Sequence, residues 1–223
     1  MQDTNKRIAD PEIAFQCCKE IADSIKENVL RTVALEILKE NKHNLLNIKG
    51  SDWHHHNYAG GLVVHLCNVT LTSVSLANFY NDRVCMDLVK FCALMHDVGK
   101  LFDYKPQSEF PNSNDTSMNQ ALLGHSLEGV VYVSNKLRAE YKKQNVPEDY
   151  IDKVIIQVSH CIGAHMIGYG ACSKQKMFEV VIIGKADQID ACLEGTIVKD
   201  HGEYFDTRDG EIFYRSIIYN SDN

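Results

Sequence analysis

The chain has 223 residues, of which 44% are hydrophobic and 24% charged, and a formal net charge of −7. These proportions are typical of a globular domain and argue against disorder. The negative charge disfavours a stand-alone binder of long duplex nucleic acid. We expect no signal peptide and no membrane-spanning segment, because no apolar run reaches about 20 residues. Eight cysteines without a C-x-x-C pair favour the reducing cytoplasm.

Hydrophobic residues recur at helical spacing through most of the chain, and Pro11 after Asp10 suits the first helical position. A break is expected near residues 26–28. A β-hairpin is expected around "DTRDG" in the C-terminal tail. We therefore predict a mainly α fold, a helical bundle with a small C-terminal β-hairpin. The predicted helices cover residues 11–41, 60–80, 85–97, 120–144, 147–161 and 176–194.

Three regions follow from this pattern. Residues 1–50 are expected to form helices that pack on a core of residues 51–200, and residues 201–223 form the hairpin tail, all within one domain. Residues 103–119, "DYKPQSEFPNSNDTSMN", are long and polar enough to serve as a lid or binding loop.

Four histidines are the most informative residues. His65, His96, His125 and His160 each fall among apolar neighbours in a different predicted helix. A single such histidine is most often a hydrogen-bonded core residue. Four that point inward from separate helices of a bundle instead indicate a metal site.

Carboxylates are available beside these histidines. Asp97 follows His96 directly, and Asp187 and Asp190 share one helix face at i, i+3 spacing. Imidazole and carboxylate ligands suit Mn, Fe, Co, Ni or Zn better than Ca or an oxygen-bound Mg, although Mg stays possible. We predict one or two divalent ions, and two would clamp the attacking and leaving oxygens of a phosphoester displacement.

Five ordered motifs, "GGLVVH", "HDVGK", "LLGHSLEG", "SH" and "ADQIDA", resemble the HD-domain metal-dependent phosphohydrolases over roughly residues 27 to 195. The longer strings "WHHHNYAGGLVVHLCNV" and "LLGHSLEGVVYV" are similar to the branch that contains YhaM-type 3′-to-5′ exoribonucleases and related plasmid and phage proteins. The resemblance implies a helical phosphohydrolase that acts through metal-activated water.

The resemblance also implies roles for individual residues. It makes Asp97, His96 and Lys100 the catalytic residues, and Lys100 is expected to contact the substrate phosphate. His55, His56 and Asp190 are expected beside the substrate. The backbone of Gly60 and Gly61 either faces a phosphate or only permits a tight turn. The implied ligands are His65, His96, Asp97 and Asp187 for the first metal, and His125 and His160 for the second.

Two departures from the family pattern bear on the substrate. The first 50 residues do not resemble the OB-fold that precedes the exoribonuclease domain. The chain reads "SHCIGAH" where the family often has "SHHG", so that Cys161 replaces a histidine and His165 is an additional one. Both departures disfavour processive degradation of long RNA.

The predicted function is hydrolysis of phosphoester bonds in nucleotides, short oligonucleotides or nucleic-acid 3′ ends. A nucleotide or short single strand is thus the expected partner, and a homo-oligomer is possible. One alternative is a nucleoside phosphate or cyclic-nucleotide hydrolase. A third possibility, from another class, is a non-catalytic HD module that binds a nucleotide or a protein.

Overall fold

A computed structural model describes residues 7–51, 55–103, 118–166, 171–195, 197–201, 204–207 and 212–214. Helices dominate these residues and a small antiparallel sheet follows the last helix, so the predicted fold class is confirmed. The helices are α1 (Pro11–Asp23), α2 (Asn28–Glu40), α3 (Lys42–Leu45), α4 (Gly61–Phe79), α5 (Met86–Met95), α6 (Lys100–Asp103), α7 (Met118–Leu122), α8 (Gly124–Lys143), α9 (Glu148–Gly163) and α10 (Phe178–Gly195).

Local sequence signals account for the first helix boundaries. The Asp10 side chain accepts a hydrogen bond from Ile13 N at 3.0 Å, and Pro11 occupies the first turn of α1. The expected break separates α1 from α2, and the Glu27 side chain caps α2 by accepting from Leu30 N at 2.6 Å. These caps satisfy N–H groups that have no partner within the helix.

The central helix, α4, packs against α1, α5 and α10. Among the described residues it is the one helix that is long and apolar enough to cross a membrane, but 61% of its most apolar 18-residue window is buried inside the protein. Its Leu66 and Cys67 lie in the same core cluster as Phe91 of α5 and Leu137 of α8. α4 is therefore the core helix of the bundle, and truncating Leu66 to alanine would cost about 2–5 kcal/mol.

The N-terminal helices share that core. Phe15 of α1 and Val33 of α2 belong to the cluster that also contains residues of α4, α5, α8, α9 and α10. The division into residues 1–50, 51–200 and 201–223 stays a prediction.

The C-terminal sheet has the strand order β1 (Ile197–Asp200), β2 (Tyr204–Thr207) and β3 (Ile212–Tyr214). β2 and β3 pair antiparallel with Phe205 opposite Phe213, as expected for the hairpin, and β1 adds a strand that the sequence analysis did not predict. Residues 104–117 of the candidate lid, together with Trp53 and His54, lie outside the described residues.

Candidate metal centre

Four helices bring the candidate ligands together. His65 lies in the second turn of α4, whereas His96 and Asp97 follow the apolar helix α5 directly. His125 stands in the first turn of α8, and Asp187 on α10, which packs against α4 and α5. The buried run that ends at Met95 thus delivers a histidine and an aspartate to the centre of the bundle.

The inner group consists of His65, His96, Asp97 and Asp187. His65 Nε2 lies 3.3 Å from His96 Nε2, 3.2 Å from Asp187 Oδ1 and 3.4 Å from Asp97 Oδ2. The side chains of both histidines are fully buried, and that of Asp187 is 19% exposed. The sequence analysis predicted all four as ligands of one ion, and the structure places an atom of each of the other three within 3.4 Å of His65 Nε2.

The outer group consists of Asp97, His125 and His165. The second carboxylate oxygen, Asp97 Oδ1, lies 3.2 Å from His125 Nε2 and 3.5 Å from His165 Nε2. These three ligand atoms lie within 4.8 Å of one another, as do those of His65, His96 and Asp97. Asp97 therefore presents one oxygen to each group.

His165, rather than His160, completes the outer group. The ring of His160 serves elsewhere, because its Nε2 accepts from Lys176 N at 2.9 Å and its Nδ1 lies 3.3 Å from Ser173 Oγ. α9 ends at Gly163, and the turn that follows directs His165 back into the bundle, where it is buried. The sequence analysis noted His165 as an additional histidine but gave it no role.

Backbone carbonyls fix the orientation of two rings. His96 Nδ1 donates to Ala93 O at 2.7 Å, and His165 Nδ1 donates to Ile162 O at 2.6 Å. Since a carbonyl oxygen can only accept, Nδ1 carries a hydrogen in both rings, and in the neutral ring Nε2 keeps its lone pair. Both rings therefore present the form that binds a metal.

Two glycines allow the outer histidines to approach. A Cβ atom on Gly99 would stand 1.9 Å from His125 O, and one on Gly184 would stand 2.3 Å from His165 O. No side chain fits at these distances, so the backbone of each outer histidine packs directly against a glycine.

Lys100 brings a positively charged ammonium group to the centre. Its Nζ lies 2.6 Å from Asp97 Oδ2 and donates to Gly50 O at 2.6 Å, in a position that is 7% exposed. An unpaired charge would be costly at this depth, and the contact with Asp97 offsets part of that cost. The predicted contact with a substrate phosphate stays a prediction.

The loop before α4 lies against the inner group. The His55 ring stands 4.7 Å from that of His65, and its buried Nε2 has no hydrogen-bond partner in the described part of the chain. His56 is buried and bonds Asp190, which also bonds His65, so His56 and Asp190 lie behind the His65 ring. Their predicted contact with substrate stays a prediction.

Gly60 and Gly61 follow the tight-turn alternative. Gly60 has a φ of +79°, in the left-handed region that favours glycine. Gly61 N donates to Tyr58 O at 2.9 Å, so this N–H is satisfied within the loop. A Cβ on Gly61 would stand 1.9 Å from His56 O, which makes the close approach of the loop to α4 specific to glycine.

Burial and charge set the protonation of the inner group. Burial would lower the pKa of His65, but hydrogen bonds to Asp187, Asp190 and Asp97 raise it well above 6.5. Burial lowers the pKa of His96 to about 4. Burial would raise the pKa of Asp97, whereas the Lys100 ammonium and the surrounding histidines hold it well below the usual range. A metal that binds His65 therefore displaces a proton.

The donor set fits a divalent transition metal. Imidazole nitrogens and carboxylate oxygens converge, and these ligands suit Mn, Fe, Co, Ni or Zn. Asp97 Oδ1 is buried and receives no hydrogen bond from the described residues, although two ring nitrogens lie close to it. Histidine nitrogens and aspartate oxygens are the ligand types that bind such metals in catalytic sites.

The comparisons with known proteins agree with this geometry. A family model for the HD domain matches residues 62–200, more than half of the chain. The chain belongs to the HD-domain family. This HD-domain protein is 25% identical over 195 residues to the dihydroneopterin 2′,3′-cyclic phosphate phosphodiesterase of Methanocaldococcus jannaschii. The alignment covers 81% of the chain and 70% of the relative. No solved structure gave a significant match.

HD domains of this kind are metal-dependent phosphohydrolases, and the family together with this relative identifies the protein as a hydrolase of phosphoester bonds. The predicted enzyme class is thereby confirmed. The His and Asp clusters of the HD-domain protein can hold a divalent metal.

Proposed function

We propose that the protein is a phosphodiesterase that hydrolyses nucleotide-type diesters, namely cyclic phosphates, short oligonucleotides or nucleic-acid 3′ ends. The observation that carries the proposal is the position of Asp97, whose two oxygens face two separate groups of ring nitrogens. A carboxylate shared in this way suits a pair of ions, and pairs of ions are typical of enzymes that displace an oxygen at phosphorus.

The opening of the centre supports a substrate that enters between α8 and α10. The side chains of His125 and Asp187 are 22% and 19% exposed, whereas those of His65, His96 and His165 are at most 1% exposed. A phosphate group therefore reaches the centre from the side of the outer group and of Asp187.

The residues around the centre have separate tasks in the proposed reaction. His65, His96, Asp97 and Asp187 would hold one ion, and Asp97, His125 and His165 a second. When bound, such ions supply Lewis acidity toward water and the phosphoryl oxygen. Each ion would bind nitrogen and carboxylate atoms that already lie close together.

Lys100 and His55 are the proposed contacts with the phosphate. An ammonium group has three N–H bonds, and the described residues account for two of those of Lys100, those toward Asp97 and Gly50. The third would donate to a phosphoryl oxygen as negative charge develops there. Burial lowers the pKa of His55 to about 3, so the ring is neutral near pH 7 and its unpaired Nε2 can bond a substrate oxygen.

Two lines of support concern the substrate. The Methanocaldococcus jannaschii relative is, by its name, a phosphodiesterase of a 2′,3′-cyclic phosphate, which supports a cyclic diester as the first substrate to test. The resemblance of "WHHHNYAGGLVVHLCNV" to YhaM-type exoribonucleases supports a 3′-terminal phosphodiester. We propose the cytoplasm as its location, because the eight cysteines are free and five of them are buried.

The test compares diesters with monoesters. The purified chain, freed of metal and reloaded with Mn²⁺ or Co²⁺, is assayed on 2′,3′-cyclic AMP, bis-p-nitrophenyl phosphate, a short 3′-hydroxyl oligonucleotide, p-nitrophenyl phosphate and ATP, with Asp97→Asn as the matched variant. We expect metal-dependent cleavage of the diesters, lost in Asp97→Asn. Preferred cleavage of ATP or of the monoester would favour the nucleoside phosphate hydrolase instead. Metal and nucleotide binding without any turnover would favour the non-catalytic module.

A further inference from the structure

A continuous chain of side chains runs from the protein surface to the first metal ligand. Tyr58, which is 40% exposed, places its hydroxyl 3.0 Å from His56 Nδ1. His56 Nε2 lies 2.8 Å from Asp190 Oδ2. The same Asp190 oxygen lies 2.7 Å from His65 Nδ1. We call these four residues the Tyr58–His65 chain.

The chemistry of the four groups determines where each hydrogen lies. An ionised carboxylate can only accept, so both ring nitrogens that face Asp190 carry hydrogens. A neutral His56 that carries its hydrogen on Nε2 has a lone pair on Nδ1, which accepts the hydroxyl hydrogen of Tyr58. A metal that displaces the proton from His65 Nε2 leaves the hydrogen on Nδ1, so the Nε2 lone pair then faces the inner group.

The backbone of His56 gives an independent indication that its position matters. Its φ of +52° lies in the left-handed region, which non-glycine residues adopt rarely and at a cost. Two backbone donors, Gly50 N and Tyr58 N, hold the His56 carbonyl in place at 2.9 Å each. The surrounding residues thus keep His56 in a strained backbone conformation, with its buried ring directed at Asp190. Strain of this kind is often found at functional sites.

A metal ion bound by His56, His65 and Asp190 is the competing explanation, since their ligand atoms lie close together. The separations of 2.7 and 2.8 Å are hydrogen-bond distances, however. Around Asp97, the ring nitrogens stand 3.2 to 3.6 Å from the carboxylate oxygens. The two sites therefore differ: hydrogen bonds connect His56, Asp190 and His65, whereas the spacing around Asp97 suits a bound cation.

We propose that Tyr58, His56 and Asp190 are positioning residues, which hold His65 in the orientation and proton arrangement that a metal requires. The inference rests on the proposed function, in which His65 binds an ion. It gives His56 and Asp190 a task different from the substrate contact expected from the sequence. Carboxylates behind a ligand histidine orient the ring and raise its basicity, and their loss weakens metal binding by about 10–100-fold.

The experiment measures Co²⁺ affinity, by competition with a chelator, and the visible absorption of the Co²⁺-loaded protein. We expect graded losses of affinity: about 10–100-fold for Asp190→Asn, less for His56→Phe and least for Tyr58→Phe. The absorption bands shift in Asp190→Asn, because the orientation of a ligand changes. Tyr132→Phe is the matched control, since it removes a partly buried hydroxyl that bonds Asn41 far from the centre.

Each outcome has a separate meaning. Wild-type affinity and absorption in Asp190→Asn would overturn the inference and leave the proposed function intact. No Co²⁺ binding by the wild-type protein would overturn the proposed function and the inference with it. If Asp190→Asn does not fold, nitrogen-15 NMR of histidine-labelled wild-type protein loaded with Zn²⁺ decides: hydrogens on His65 Nδ1 and His56 Nε2 support the chain, and any other arrangement contradicts it.

Discussion

The inner and outer groups share Asp97 but differ in how firmly their other ligands are held. In the inner group, both rings are fully buried and both Nδ1 atoms have fixed acceptors, Asp190 for His65 and Ala93 O for His96. In the outer group, only His165 has such an acceptor. His125 is 22% exposed, and none of the hydrogen bonds found among the described residues involves its Nδ1.

This difference predicts unequal affinities. A ligand whose orientation is fixed before binding loses less freedom when the ion arrives, and its binding is correspondingly tighter. The inner ion should therefore remain during dialysis while the outer ion exchanges with solvent. The outer group also contains the most exposed of these side chains, that of His125.

The largest effect is expected from Asp97→Asn, which breaks both groups at once. We expect the affinity for each ion to fall by more than about 100-fold, beyond the effect of losing a hydrogen-bond partner. Stability should also fall, because Lys100 loses its buried counter-charge, an effect of about 3–5 kcal/mol for a fully broken pair. Elemental analysis after gel filtration and urea unfolding measure the two effects. Retention of one ion at wild-type affinity would show that the groups do not share Asp97.

Gly99→Ala should disturb the outer group through the backbone. The new Cβ would collide with His125 O, so α8 must move away from Asp97, at a cost of roughly 1–3 kcal/mol. We expect one ion per chain instead of two. Gly129→Ala is the control, because its Cβ would stand 3.3 Å from the Ile162 side chain and 3.4 Å from Gly99 N, without the collision expected for Gly99→Ala. Two ions in both variants would mean that the glycine contact does not position His125.

His165→Gln separates the two groups by removing a single ligand. We expect the outer ion to be lost and the inner ion to stay, with turnover reduced and the circular dichroism spectrum unchanged. His160→Gln is the paired variant, since the sequence analysis predicted His160 as the ligand and the structure places it on Lys176 N. Loss of the outer ion in His160→Gln, but not in His165→Gln, would reverse the assignment.

The smallest expected effect is the contribution of His55 to the pH dependence of folding stability. Burial lowers the pKa of His55 to about 3 in the folded protein, from 6.5. A histidine whose pKa is lower in the folded than in the unfolded protein contributes stability above pH 6.5, and this contribution is lost as the pH falls toward 3. Between pH 7 and pH 5, the metal-free wild-type protein should lose up to about 2 kcal/mol more than His55→Gln.

Urea unfolding at the two pH values measures this difference, because contributions from the other histidines cancel in the comparison. Exposed His43 provides the control, and His43→Gln should follow the wild-type protein. Equal losses in His55→Gln and the wild-type protein would show that His55 is already solvated in the folded state.

The sequence predicted the helices because they depend on short-range patterns, whereas the ligand set of the inner group was implied by the resemblance to a known family. Apolar spacing places His65 and His96 on the buried sides of their helices, and Asp187 faces them from α10. The helix caps at Asp10 and Glu27 are equally local. For the helices and their caps, knowing the neighbours along the chain is enough.

The outer group and the Tyr58–His65 chain depend on tertiary contacts that spacing does not reveal. Whether His160 or His165 enters the centre depends on where α9 ends, and a shift of one turn exchanges them. Gly163 and Gly184 were the signals available: the first ends the helix, and the second leaves room for the His165 backbone. The contact between Asp190 and His65 depends on how α10 packs against α4, which the sequence does not specify.

The ammonium group of Lys100 already stands among the acidic side chains of the centre, bonded to Asp97 and to the carbonyl of Gly50. It thereby neutralises part of the negative charge before any ion arrives. Small zinc domains unfold without their metal, because metal binding supplies their folding free energy. This protein should instead persist as a folded reserve during metal scarcity and become active as soon as the supply returns.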